Sequence, residues 1–281
     1  MVARASALSR SGKFNNRHAP FRPVRPNPAP LPLSPAQIAE FDTAGFVVLR
    51  GFFSTGEIAR VGEAIAALAA RPPSVGREMV YFEDSVRDPA VRVLSRIEKF
   101  IEHEPTLREL VLDPRLSLAA GQLLRDEARL FKEKINFKMP GGRGFEPHQD
   151  IQPGWDAYAD YFLSVLVTID PSIPENGCLE VSAGHHQRGL LGEKWQPLTP
   201  AQLRGVEFVR LPTMPGDVVF FDCFVPHQSA PNLTDRPRRN LYLSYNRAAA
   251  GDHREKYFAD KRAAFPPDHE RAPGVKLAFK V

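Results

Sequence analysis

Two cysteines in 281 residues, Cys178 and Cys223, are too few for a disulfide framework. They form neither a CxxC pair nor a zinc spacing, so two buried, reduced thiols in a cytoplasmic protein are expected. No apolar run approaches the ~18 residues that a membrane span needs. The basic N-terminus lacks an apolar h-region, which argues against a secretory signal. No internal repeat is present. Residues 1–33 contain no acid and six basic residues; with a net charge of +4 for the whole chain, the remainder carries −2 (4 − 6). The folded part is therefore expected to be near neutral. A basic tail could touch nucleic acid or an acidic surface, but "HAPFRPVRPNPAPLPLSP" has a proline every two or three residues and is expected to stay extended and disordered. Neither nucleic acid nor membrane is an expected partner, and the chain does not reveal its oligomeric state.

The apolar fraction of 43% and the charged fraction of 25% suit one folded domain, expected over 34–281. Ser34 can cap a helix with Pro35 at its first position, and Gly45 ends it. "FVVLRGFF" reads as a strand. Ser54 caps a second helix with Ile58, Val61, Ile65 and Leu68 at helical spacing. More helix is expected around 90–126. Beyond about residue 128 come short strand-like runs, "RLFKEKINFKM", "YFLSVLVTI", "GCLEVSA", "GDVVFFDCFV" and "RNLYLSYNRA", parted by turn signals. The expected fold is mainly β, a jelly roll with a helical N-terminal layer. In "FKEKINFKM", Phe131, Ile135, Phe137 and Met139 share one face, and Lys132, Lys134, Asn136 and Lys138 the other. Such a polar face can meet water; alternatively helices cover the apolar face and the polar one lines a wet, ligand-holding mouth.

"GFEPHQDIQPGW" places His148 and Asp150 two apart, so on a strand both would point to one face and could reach one ion. Alone the pair is weak. A third ligand must come from afar, and His227, at the end of an apolar strand in "FFDCFVPHQSAPN", is preferred over His18, His103, His185, His186, His253 and His269. Two histidines and a carboxylate make the facial triad of non-haem Fe(II) oxygenases. Arg238 could grip a carboxylate with two parallel hydrogen bonds, helped by Ser229, unless "DRPRR" is an exposed basic turn. Asp222 could orient a neighbour or be a buried, hydrogen-bonded acid.

"PHQD", "NGCLEV" and "PGDVVFFDCFVPHQSAPNLTDRPRRN" together resemble the phytanoyl-CoA dioxygenase family of Fe(II)/2-oxoglutarate oxygenases, over about residues 36–270. The resemblance implies a double-stranded β-helix (a cupin-like jelly roll), Fe(II) on His148, Asp150 and His227, and 2-oxoglutarate on Arg238 and Ser229. It implies consumption of O2 and hydroxylation of a small molecule, with release of succinate and CO2. "KINFKMPGGRGFEPHQD" and "REKYFADKRAAFPPD" resemble small-molecule bacterial members, among them enzymes of 2-aminoethylphosphonate. Asn136 is placed beside the iron-bound end of the cosubstrate. Lys134 and Lys138 either attract an anionic substrate or are solvated. Tyr81, Trp155 and Tyr158 are placed in loops that cover the site or merely pack on the barrel. Leu166 stands where some relatives carry Trp. The intact Asp150 argues against halogenation. A non-catalytic binding jelly roll, or a zinc hydrolase or isomerase on the same triad, are the competing readings; a hydrolase has no need of Arg238 with Ser229.

Overall fold

The computed structural model describes residues 32–272 and 274–275. The tail expected over 1–33 lies outside them except for Pro32 and Leu33. Leu33 is buried in the main core and exchanges two 2.9 Å backbone hydrogen bonds with the Gln122 amide, so the folded part begins before Ser34.

Helix α1 (Pro35–Ala44) is capped as expected, with Ser34 and Gln37 forming a reciprocal capping box and Gly45 closing the helix at φ +83°. Strand β1 is Phe46–Leu49, shorter than "FVVLRGFF" suggests, and α2 is Thr55–Ala70. The stretch expected to turn helical near residue 90 is instead half of a hairpin, β2 (Met79–Asp84) with β3 (Arg92–Glu98). Helices α3 (Pro105–Val111) and α4 (Pro114–Leu124) follow. The remaining strands are β4 (Ala128–Lys138), β5 (Phe145–His148), β6 (Leu163–Thr168), β7 (Leu179–Val181), β8 (Val209–Leu211), β9 (Val218–Asp222), β10 (His227–Ser229) and β11 (Arg238–Arg247). Helix α5 (Arg254–Ala264) comes last. Among the described residues no helix is long and apolar enough to cross a membrane.

The strands form two antiparallel sheets, a large one ordered β1-β9-β6-β11-β4-β3-β2 and a small one ordered β5-β10-β7-β8. Alternation along the central strands assigns their two faces. Leu163, Val165 and Val167 of β6, Val218 and Phe220 of β9, and Leu241 and Leu243 of β11 join Ile58, Ile65, Leu107 and Leu116 in one helix-covered core. The intervening Leu166, Val219 and Phe221 face Leu179, Val181 and Leu211 of the small sheet. The covered-sheet alternative holds: each enclosed aliphatic or aromatic side chain contributes about 1.5–3 kcal/mol of burial, so the polar residues of β4 face inward rather than toward bulk water.

Phe131 departs from its expected face. The β11–β4 register shifts between Ser244, opposite Lys132, and Tyr245, opposite Leu130. Phe131 is the extra residue of that bulge and turns into a second cluster with Trp155, Phe162 and Tyr257.

Candidate active site

β5 and β10 are antiparallel neighbours, and His227 is the Cα partner of His148. Asp150 is not on the strand, as the HxD spacing suggested; it lies past the end of β5 in a turn. Gln149 fixes that turn. Its amide donates to Gly189 O (2.8 Å) and Phe224 O (2.6 Å) and accepts from Leu191 N (2.7 Å). With Gln149 held outward, His148 and Asp150 converge inward, and each of the three residues offers a ligand atom within 4.8 Å of the others.

The histidines are prepared as donors. Nδ1 of His148 donates to Glu146 O at 2.7 Å and Nδ1 of His227 to Val225 O at 3.0 Å, which leaves both Nε2 lone pairs free. Burial holds both imidazoles below the usual histidine range, so they are neutral at physiological pH. Burial pushes the Asp150 carboxyl up, but the positive groups around it, Lys134 and Lys132 among them, more than offset it and keep the group ionised. Ser164 Oγ donates to Asp150 Oδ2. Two neutral imidazoles and one ionised carboxylate, all buried, suit a divalent iron with open positions.

Arg238 opens β11 and is buried, not part of an exposed turn. Its Nη2 donates to Gly177 O at 2.6 Å while its buried Nε has no partner. Asn136 Oδ1, on β4, is likewise buried without a partner. Tyr242 hydrogen-bonds Arg238 and sits opposite both Lys134 and Leu166, between the arginine and the triad. Leu166 is buried in the inter-sheet core. A buried donor without an acceptor, such as the Arg238 Nε, is costly unless a ligand satisfies it, and a carboxylate of a dicarboxylate spanning Arg238 and the triad would accept from it.

Lys138 stands at the Arg238 end, against Ser229 and Gly177. Its Nζ donates to Ser229 Oγ (2.7 Å), Gly177 O (3.1 Å) and Ala230 O. Burial, and next Arg238, pull it down to about 6. The turn at Gly177 is tight: φ is +73°, and a Cβ there would meet Ala230 O at 2.0 Å.

A cavity of about 430 Å³ starts at His148 and Asp150 and runs outward past Lys132, Lys134, Trp155 and Tyr158. Trp155 is buried at the start of a 3-10 turn, and Tyr158 follows it. Tyr81 is on β2 rather than in a loop; it is buried, donates to Phe265 O at 2.8 Å, and lines a neighbouring groove instead. Ser164, Tyr242, Lys132, Arg96 and Lys261 were not singled out from the sequence. Inward alternation on β6, β11 and β4 was the signal for the first three; nothing local marks the last two. His185 bonds Ser182 and Gly205 and is not part of the triad, nor is His186. Asp222 is a buried acid that accepts from Tyr161 (2.6 Å) and Phe224 N (2.7 Å). Cys178 and Cys223 are buried and free.

A family model described as phytanoyl-CoA dioxygenase (PhyH) matches residues 41–240. The chain is 35% identical over 240 residues to a 2-aminoethylphosphonate dioxygenase of uncultured bacterium HF130_AEPn_1, covering 85% of this chain and 91% of that one. It is 35% identical over 234 residues to a methylphosphonate hydroxylase of Gimesia maris, covering 83% and 88%. The crystal structure of EctD from S. alaskensis with 2-oxoglutarate and 5-hydroxyectoine is similar with a TM-score of 0.67 and 26% identity, covering 90% of this chain and 88% of that one. The same protein with bound Fe has a TM-score of 0.65 and 28% identity, covering 79% of each.

Proposed function

The chain belongs to the phytanoyl-CoA dioxygenase family and is a 2-oxoglutarate-dependent dioxygenase that uses iron and O2; from this we propose that it hydroxylates a C–H bond of an organic phosphonate that shares the charged head of 2-aminoethylphosphonate, releasing succinate and CO2. His148, Asp150 and His227 would hold Fe(II). The ion, when bound, supplies the coupling of O2 reduction to 2-oxoglutarate decarboxylation and substrate oxidation. Arg238 and Ser229 would bind the distal carboxylate of 2-oxoglutarate, with Lys138 holding Ser229 in place and Asn136 beside the other end.

The observation that carries the phosphonate reading is the pair Lys132 and Lys134. Both line the cavity next to Asp150, and among the described residues neither has a hydrogen-bond or ion-pair partner. Each ammonium lies over an aromatic ring instead, Lys132 at 3.8 Å from the Trp155 centroid and Lys134 at 5.2 Å from that of Tyr242. Burial pulls both amino groups below the usual lysine range, Lys132 well below it with Lys134 adding to the effect, so an anionic ligand that offsets this and restores their charge is favoured. Two relatives named for phosphonates support the same group. A panel of phosphonates and matched carboxylates and sulfonates, read by succinate release above the substrate-free rate, tests this. Stimulation by phosphonates is expected; stimulation only by other classes overturns the phosphonate assignment.

A further inference from the structure

The cavity beyond the lysines is far larger than a methyl- or aminoethyl-phosphonate requires. Its volume of about 430 Å³ falls within the roughly 300–1,000 Å³ of pockets that enclose drug-sized ligands. The anion-binding end occupies only its depth. From there Trp155, Tyr158, Tyr257, Trp195 and Phe265 line it out to the rim, with the Asp156 and Lys194 ion pair and Asp260 set among them.

The rim itself is built. Trp195 and Phe265, seventy positions apart, stack at 5.6 Å with 26° between their planes. Trp195 is 46% exposed and sits at φ +64°. A bulky residue in left-handed backbone is strained, and such strain persists where the surroundings impose it, often at ligand clamps. Lys194 is bound to Asp156 at 2.5 Å, tying the same loop to the 3-10 turn that carries Trp155.

Resting on the phosphonate reading, we propose that the substrate is an amphiphilic phosphonate, its head on Lys132 and Lys134 and an extended apolar or aryl body along this aromatic wall up to Trp195. Charge complementarity fixes the orientation, because the unpartnered cations are at the iron end and the apolar wall is outside them. The C–H bond presented to the metal is then one close to the phosphonate head. Each buried methylene adds to affinity through lost contact with water.

The test is calorimetric titration of the anaerobic Fe(II)/2-oxoglutarate-loaded protein with methylphosphonate, 2-aminoethylphosphonate, n-hexylphosphonate and 3-phenylpropylphosphonate. The chain has two tryptophans, and both line the cavity, so fluorescence reports the same entry independently. The hexyl and phenylpropyl ligands are expected to bind at least about tenfold more tightly than methylphosphonate. Trp195→Ala is expected to weaken the phenylpropyl ligand about fivefold or more and methylphosphonate less. A smaller preference for the long ligands, a preference for the short ones, equal losses in the variant, or no binding by any of the four overturns the proposal. These are binding outcomes. The phosphonate reading fails separately, by succinate release that no phosphonate stimulates.

Discussion

His148 and His227 face each other across the β5–β10 pair with ring centroids 4.1 Å apart, and each gives its Nδ1 proton to the carbonyl two residues before it. The repetition has one consequence: both rings turn the same nitrogen, Nε2, toward the same point. Asp150 Oδ1 is 3.8 Å from His227 Nε2 and completes the set. One cluster thus forms because an antiparallel register brings two distant strands opposite and the pinned turn that follows β5 adds the third ligand.

Asp150 is aimed by Ser164, whose hydroxyl occupies its second oxygen. Ser164→Ala removes that donor without opening a large void. Fe(II) affinity is expected to fall roughly 10- to 100-fold, the usual effect of losing such a partner, with little change in thermal stability. Equilibrium metal titration of the two proteins checks this, and equal affinities would show that the hydroxyl has no orienting role.

Arg238→Ala should raise the 2-oxoglutarate requirement by roughly 2–4 kcal/mol, about thirty- to several-hundred-fold. Arg238→Lys should recover little of it, since a lysine cannot present two parallel donors. The dependence of succinate formation on 2-oxoglutarate concentration measures both. An unchanged requirement in Arg238→Ala would place the cosubstrate elsewhere.

Glu98 is buried, accepts from Lys261 at 2.7 Å and is 3.5 Å from Arg96. Burial pushes its carboxyl up, but Lys261, Arg96 and Lys132 outweigh it and hold the group at about 2. Lys261 shifts the other way, to about 8, because burial and neighbouring cations act on it more strongly than Glu98 does. A carboxyl with a lowered folded pKa binds fewer protons in the native state, so its stabilisation is present above the unfolded value near 4.5 and is lost as pH falls toward 2. Glu98→Gln is expected to cost roughly 3–5 kcal/mol near pH 7, a gap from wild type that narrows below about pH 4.5. Urea midpoints measured from pH 7 to pH 3.5 test the sign; a gap that widens on acidification would contradict it.

Much of the site was legible because its signals are local or strictly periodic. The HxD pair, His227 and Arg238 stand in recognisable strings, and the alternation on β4, β6 and β11 already separates the cavity-facing residues from the helix-covered ones. What was missed depends on partners far away in sequence. The sequence around 90–126 predicts helix, but Arg92–Glu98 pairs with β2 as a hairpin, and its buried Glu98 is held by Lys261, more than 160 residues on. Phe131 was placed on the wrong face because a bulge in the β4–β11 ladder shifts the period by one. Alternation groups Lys138 with Lys134, but four residues along a strand carry it from the cavity beside His148 and Asp150 to the Arg238 end. Trp195 and Phe265 meet only through tertiary structure, and neither lies in a periodic segment.

The central claim is that one buried triad couples 2-oxoglutarate and O2 to hydroxylation of a phosphonate. Turnover under isotopically labelled O2, with Fe(II), 2-oxoglutarate and the best phosphonate of the panel, tests it most directly. Label is expected in both succinate and the hydroxylated phosphonate, formed one to one, and both should vanish in Asp150→Ala. Unlabelled product, or undiminished turnover by Asp150→Ala, would contradict the account.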